Sequence, residues 1–280
     1  MIKLGLIGYP LGHSLSPALH EAALRSCGLD GSYALFPVPP DDKQGIKDLL
    51  ARVRNGEITG LNVTIPHKQN VIGLLDELSP VAKAIGAVNT IYRRNSRLLG
   101  ENTDAPGFLA DSSRFLTTET RRHGNLEALV LGAGGSARAV VYALLHSGWN
   151  VTLAARRMEQ AKQLAVSFTQ DKLSVTNYPL SSIDLSNIKL IVNTTPIGMA
   201  PNVEQSPWQE NLPLPPHAVI YDLVYNPRET QFVRDASAQG LRATTGLGML
   251  IEQAALAFEI WTGHKPSREI MFEAVNQTVH

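Results

Sequence analysis

The chain has one cysteine, Cys27, in an apolar, helix-like segment, so it can form no intrachain disulfide. No apolar run approaches the length that crosses a bilayer, and Met1-Ile2-Lys3-Leu4 enters a strand pattern without the layout of a signal peptide. An excess of charge is also missing. Lys plus Arg number 25 and Asp plus Glu 25, and the basic clusters Arg93-Arg94, Arg121-Arg122 and Arg156-Arg157 are pairs rather than patches. That balance argues against nucleic acid and against an anionic membrane surface. No His, Cys, Asp and Glu set has metal-ligand spacing, no Ser-His-Asp nucleophile is supported, and there is no repeat or low-complexity tract. The expectation is a soluble, cytoplasmic protein that uses no metal, acts on a small molecule, and exists as a monomer or homodimer.

What is present fits two domains. A length of 280 residues allows two cores of ordinary size, and 44% apolar with 18% charged residues is a globular composition. Residues 2–7, 32–38, 59–65 and 87–92 read as strands. Helices are expected at 16–27 and 41–53, and a third opens at Ser79-Pro80. Ser16-Pro17 and Ser79-Pro80 both read as an N-cap followed by proline in the first turn. Alternating strands and helices predict a mostly parallel sheet covered on its faces. A second unit begins near Asp104, with a helix to about Phe115 and a polar loop over 117–125. Strands at 126–131, 151–155, 188–193 and 218–222 then alternate with helices at 136–146 and 159–167. The proline-rich 200–216 stretch reads as an ordered surface loop. Final helices are expected at 248–262 and 267–275. The first of these carries an otherwise unexplained Gln253 and is expected to return to the N-terminal domain. The α/β expectation is therefore a substrate domain of 1–103 with 248–280, and a Rossmann-type nucleotide domain of 104–247.

Two segments carry chemistry. In Gly60-Leu61-Asn62-Val63-Thr64-Ile65-Pro66-His67-Lys68, strand alternation points Asn62 and Thr64 to one side, and Lys68 follows from the turn beyond. Pro66 keeps Ile65 extended and ends the strand. A lysine behind an apolar strand, among polar groups that need partners, reads better as a ligand contact than as a solvated charge. Asp104 opens a helix, which favours a carboxylate there, and it is poised to pair with Lys68. The second segment, Gly132-Ala133-Gly134-Gly135-Ser136-Ala137, follows an apolar strand and opens a helix, as a G-x-G-x-x-G/A phosphate loop requires. An NAD enzyme usually has an acid at the tip of the next strand. Here Ala155 is followed by Arg156 and Arg157, which suit the dianionic 2′-phosphate of NADP. Asn193-Thr194-Thr195 is expected to line the same cleft. Ser14, two residues before Ser16 and not needed for its cap, is a candidate to share a carboxylate with it.

Together these motifs resemble the shikimate dehydrogenase family over nearly the whole chain. The matching pieces are Ser14-Leu15-Ser16-Pro17, the 62–68 segment, Gly86-Ala87-Val88-Asn89-Thr90, Asn102-Thr103-Asp104, residues 132–137, residues 193–199 and Gly246-Leu247-Gly248-Met249-Leu250 leading to Gln253. The resemblance implies reversible NADPH-dependent reduction of 3-dehydroshikimate to shikimate, on the route to chorismate and the aromatic amino acids. It implies Lys68 and Asp104 as the catalytic pair, with Ser14, Ser16 and Tyr225 on the substrate carboxylate. Thr64, Asn89, Asp104 and Gln253 would hold ring hydroxyls, with Asn62 nearby. Gly132, Ala133, Gly134, Gly135 and Ser136 would hold the pyrophosphate, and Arg156 and Arg157 the 2′-phosphate. Leu223 and Gly246 would flank the nicotinamide. The family often has Asn, Arg and Thr where this chain has Ala155, Arg156 and Arg157. Two rival readings are a quinate/shikimate dehydrogenase with relaxed substrate or cofactor use, and a ligand sensor that has lost turnover.

Overall fold

Residues 1–116, 126–168, 171–180 and 183–276 are described by the computed structural model; the loop expected over 117–125 lies outside them. The chain divides into one unit of Met1–Gly107 with Ile251–His280 and a second of Phe108–Leu250.

The first unit is built on Ile2–Gly8 (β1), Gly31–Pro37 (β2), Gly60–Val63 (β3), Glu77–Leu78 (β4), Thr90–Arg94 (β5) and Arg97–Glu101 (β6), in sheet order β2-β1-β3-β5-β6-β4. β1 runs parallel to β2 and β3, and β4 parallel to β6. The β3-β5 and β5-β6 pairs are antiparallel, so this sheet is more mixed than the strand–helix alternation suggested. The cause is a two-residue hairpin. Asn95 (φ 49°) and Ser96 (φ 63°) both take positive φ, which a tight turn between right-twisted strands demands. β3 is buried along its whole length, as a central strand covered on both faces must be. It ends at Val63, three residues before Pro66 and earlier than the proline alone implied.

The first unit's helices are Ser16–Ser26 (α1), Lys43–Arg54 (α2) and Pro80–Ile85 (α3), with the start of Asp104–Ser112 (α4). Ser79 caps α3 as expected, accepting a bond from the Ala82 N–H at 3.0 Å. The cap expected at Ser16 is absent. Leu15 is already helical (φ −83°, ψ −4°), so Ser16 lies inside the helix, and it is the Ser14 hydroxyl that accepts from the Ser16 N–H at 3.3 Å. In the C-terminal segment, Leu247–Thr262 (α8) brings Trp261 back to the first sheet, and Arg268–Asn276 (α9) packs on α1. The indole N–H of Trp261 donates to the Ile91 carbonyl at 3.0 Å. A Cβ on Gly60 would lie 2.2 Å from that indole nitrogen, so only glycine allows the approach. None of these helices is long and apolar enough to cross a membrane.

The second unit's strands are Glu127–Leu131 (β7), Asn150–Ala155 (β8), Leu173–Asn177 (β9), Ile188–Asn193 (β10), Val219–Asp222 (β11) and Ala243–Thr245 (β12). They form an all-parallel sheet in the order β12-β11-β10-β7-β8-β9. Gly135–His146 (α5), Met158–Val166 (α6) and Gln231–Ala238 (α7) cover it. Strand order reverses between β7 and β10, and the crevice beyond the carboxyl ends of such a pair is where open α/β sheets bind ligands. The 200–216 stretch is not only surface. Trp208 and Leu214 are buried in this unit's core with Phe232 and Ile220.

Candidate active site

In the first unit, β1 and β3 are parallel neighbours, so the loops leaving their carboxyl ends lie side by side. β5 runs the other way, and its first residue, Thr90, is the register partner of Asn62. Asn89 thus stands at the start of a strand rather than its end. Asn62 donates to the Asn89 carbonyl at 3.2 Å, and its own side-chain oxygen accepts from the Tyr33 hydroxyl at 2.8 Å. Thr64 follows β3, its N–H bonded to the Ile7 carbonyl at 2.9 Å.

The turn beyond Pro66 is anchored at both ends. His67 is fully buried, its Nε2 2.7 Å from the Val38 carbonyl, which fixes the proton on that nitrogen. The Lys68 carbonyl accepts from the Val88 N–H at 2.8 Å. The Lys68 ammonium meets Asp104 Oδ2 at 2.7 Å, with the two side chains only 10% and 6% exposed. An ion pair this far out of water persists only if its remaining lone pairs are used. Asn89 Nδ2 donates to the other oxygen, Oδ1, at 2.9 Å. The same amide also reaches Thr103 Oγ1 at 2.9 Å and Gln253 Oε1 at 3.2 Å, so two protons serve three acceptors. Asn102 caps α4 by accepting from the Asp104 and Ala105 N–H groups at 3.1 and 3.2 Å. Asp104 therefore sits on a helix N-terminus, where its charge is favoured. Gln253 arrives because Gly107 lets α8 approach, since a Cβ there would lie 2.9 Å from the Gln253 N. The sequence reading gave Thr103 no role of its own and missed Tyr33 and Gly107; all three act through contacts distant in sequence.

In the second unit, Gly132 (φ +106°) turns the chain after β7, and a Cβ there would lie 2.7 Å from Thr194 Oγ1. Thr194 fixes itself to the same corner by donating to the Leu131 carbonyl at 2.6 Å. α5 then starts without a side-chain cap and without an acid in its first turn. Gly134 has open space where a Cβ would stand. A helix start with no side-chain cap and no acid, beside a glycine that leaves room for a ligand, suits a pyrophosphate. Ala155 is buried at the end of β8, with Arg156 and Arg157 exposed beyond it. Gly246 lies against the Leu223 backbone, where a Cβ on residue 246 would collide with the Leu223 carbonyl. Tyr225 follows in this unit, half-buried, and burial raises its pKa. The residues expected on the cofactor side thus follow the carboxyl ends of the second sheet's strands. Lys68, Asp104, Asn89, Asn62 and Gln253 gather in the first unit.

A buried Lys–Asp pair and a glycine-rich phosphate loop at a switch point define a dinucleotide-dependent α/β oxidoreductase. The model of the shikimate dehydrogenase substrate binding domain matches residues 6–91, and that of the shikimate 5'-dehydrogenase C-terminal domain matches residues 246–275. The shikimate dehydrogenase (NADP(+)) of Methanococcus maripaludis strain C7 is 39% identical over 99% of this chain and 96% of its own length. Shikimate 5-dehydrogenase from Thermus thermophilus, solved in complex with NADP(H) and shikimate, superposes with a TM-score of 0.86 at 39% identity, covering 99% of each chain. Quinate dehydrogenase from Corynebacterium glutamicum, solved with NAD, gives 0.83 at 30% identity, again over 99% of both chains. The chain belongs to the NADP-dependent shikimate dehydrogenase family.

Proposed function

We propose that the chain reduces 3-dehydroshikimate to shikimate reversibly, with Lys68 as proton donor and Asp104 as its orienter. The observation that carries this is the 2.7 Å Lys68–Asp104 pair, buried and held by Asn89. NADPH, when bound, supplies the hydride. As negative charge grows on the ketone oxygen, the Lys68 ammonium gives that oxygen a proton, and in the reverse direction the amine takes it back. Asp104 holds the ammonium in place and offsets its charge. Acid–base assistance of this kind contributes about 10²–10⁴ in rate.

The first unit serves as the substrate domain in this reading. Ser14 and Ser16 hold the substrate carboxylate, a role that the family resemblance also implies for Tyr225, and Thr64, Asn89, Asp104 and Gln253 hold the ring hydroxyls, with Asn62 beside them. The second unit holds NADP through the 132–136 turn, Thr194, Thr195, Leu223 and Gly246, with the 2′-phosphate on Arg156 and Arg157 beyond Ala155. The reading carries with it a cytoplasmic enzyme, monomer or homodimer, with no nucleic-acid or membrane partner.

The test is oxidation and reduction by the purified protein, followed by nicotinamide absorbance. Turnover with 3-dehydroshikimate and NADPH is expected to exceed that with quinate and NAD. Turnover with quinate and NAD that matches it would favour relaxed use, and no turnover with either pair would leave a sensor. Lys68→Arg, which keeps the charge but not a transferable proton, is expected to lose most turnover while still binding substrate. Near-parent turnover would overturn the proton-donor role.

A further inference from the structure

Asp222 ends β11 fully buried, and no sequence motif or proposed contact accounts for it. Its register partner on β10 is Asn193, so the two side chains stand next to each other at the carboxyl edge of the second sheet. A carboxylate there must have its oxygens bonded to offset the loss of water. Three donors converge on it: Asn193 Nδ2 at 2.7 Å and the Val224 N–H at 3.0 Å on Oδ1, and Thr230 Oγ1 at 2.7 Å on Oδ2. A carboxylate accepts all three at once, and its charge strengthens each bond, which a neutral amide would not do.

Each bond leads to a different structure. Asn193 uses its oxygen to accept from the Thr195 N–H at 3.0 Å and from the Thr195 hydroxyl at 2.7 Å. Val224 accepts in turn from the Gly246 N–H at 3.3 Å, and its neighbour Leu223 donates to the Asn193 carbonyl at 2.9 Å. Thr230 caps α7 through the Val233 N–H at 3.3 Å. Asp222 therefore ties the Thr194–Thr195 turn to the Leu223–Gly246 contact and braces both against a helix. The glycine loop after β7 and the arginines after β8 have no bond to it.

We infer that Asp222 is a positioning residue for the nicotinamide end of the cofactor cradle and not for its adenosine end. The inference rests on the cofactor reading given under the proposed function, since Thr195, Leu223 and Gly246 are cradle residues only in that reading.

Calorimetric titration with two probes tests it. NADP⁺ spans both ends of the cradle, whereas adenosine 2′,5′-bisphosphate reaches only the adenosine end. Asp222→Asn is expected to weaken NADP⁺ about 10-fold, the scale of one charge-assisted hydrogen bond, and to leave adenosine 2′,5′-bisphosphate within about 2-fold. Equal weakening of both ligands would mean a general scaffold role, and no weakening of either would mean no role; each overturns the inference. Asn193→Ser provides a second measurement in case Asp222→Asn does not fold, because it cuts the link to Thr195 while Asp222 keeps Val224 and Thr230. It should show the same split, and a uniform loss or none would again overturn the inference. Binding by the parent separates the two levels of the argument. A parent that binds neither probe brings down the cofactor reading and this inference with it. A parent that binds both, beside an Asp222→Asn protein without the split, brings down the inference alone.

Discussion

Replacing both members of the Lys68–Asp104 pair, singly and together, probes structure and chemistry at once. At 2.7 Å with side chains 10% and 6% exposed, the pair attracts by about 6 kcal/mol at an effective dielectric near 20. Desolvation offsets much of this, and breaking such a pair from one side costs about 3–5 kcal/mol. Asp104→Asn falls toward the low end, because its amide oxygen can still accept from Lys68 or from Asn89. Lys68→Met leaves a carboxylate that keeps the Asn89 bond and the helix N-terminus, and it should cost less still. The double replacement removes both charges, so its denaturation midpoint should lie above the value that summing the single losses would give. Turnover should be non-additive in the same sense. If Lys68→Met costs ~10³ and Asp104→Asn ~10², the double protein should lose close to 10³, because an orienter has nothing to orient once the donor is gone. Single-turnover rates with saturating NADPH and 3-dehydroshikimate measure this. A double loss near the product of the single ones would refute the shared step.

Three further outcomes are expected. Arg156→Ala should raise KM for NADP by about 10-fold while barely changing KM for NAD, and equal rises would make Arg156 structural. Ser14→Ala and Ser16→Ala should both weaken shikimate binding, but only Ser14→Ala should also lower the melting temperature slightly, since Ser14 accepts from the Ser16 N–H and Ser16 caps nothing. His20 is fully buried with neither ring nitrogen in hydrogen-bonding geometry, and desolvation by burial lowers its pKa to about 3, the neighbouring Asn62 side chain acting in the opposite direction. The folded form then binds fewer protons than the unfolded one, so the contribution is complete above pH ~6.5 and is lost as pH falls toward 3. Between pH 7 and 5 that loss is about 2 kcal/mol. His20→Phe, which keeps a ring against Tyr33 (4.4 Å between centroids), should be less acid-sensitive by that amount in urea titrations at the two pH values. An unchanged difference would refute it.

Elements set by their own residues were legible, and those set by distant contacts were not. The Rossmann half could be read because an apolar run, a glycine turn and a helix start fall within one short segment. The hairpin between β5 and β6 had a local signal in Asn95-Ser96, yet the reading stopped at one strand. α7 was also missed, although Thr230 caps it and Phe232, Val233 and Ala236 form a buried stripe. β9 offered less, being half-buried at an edge where alternation is weak. The misplaced cap at Ser16 shows how little sequence separates a cap from a first helical residue. The choice depends on the backbone angles of Leu15, which the loop before it sets.

The site divides in the same way. Lys68 and Asp104 were readable as chemical types in the right context, but the pair itself depends on residues 36 positions apart returning to one corner. Asn89 shows what remained hidden. Its amide serves Asp104, Thr103 and Gln253 together, and its oxygen accepts from the Thr103 N–H at 2.8 Å, so it sets the carboxylate's orientation before any substrate is considered. A buried side chain with every hydrogen-bonding group engaged has one low-energy orientation, and whatever it bonds inherits that order. Asp222 plays the corresponding part in the second unit, and there the sequence did leave a mark. An acid closing an apolar parallel strand at its carboxyl end must find donors at the edge where such sheets bind ligands. Buried polar residues at strand ends are therefore the positions to inspect next to any phosphate loop, because their cost in burial is tolerated only where they order the neighbouring turns.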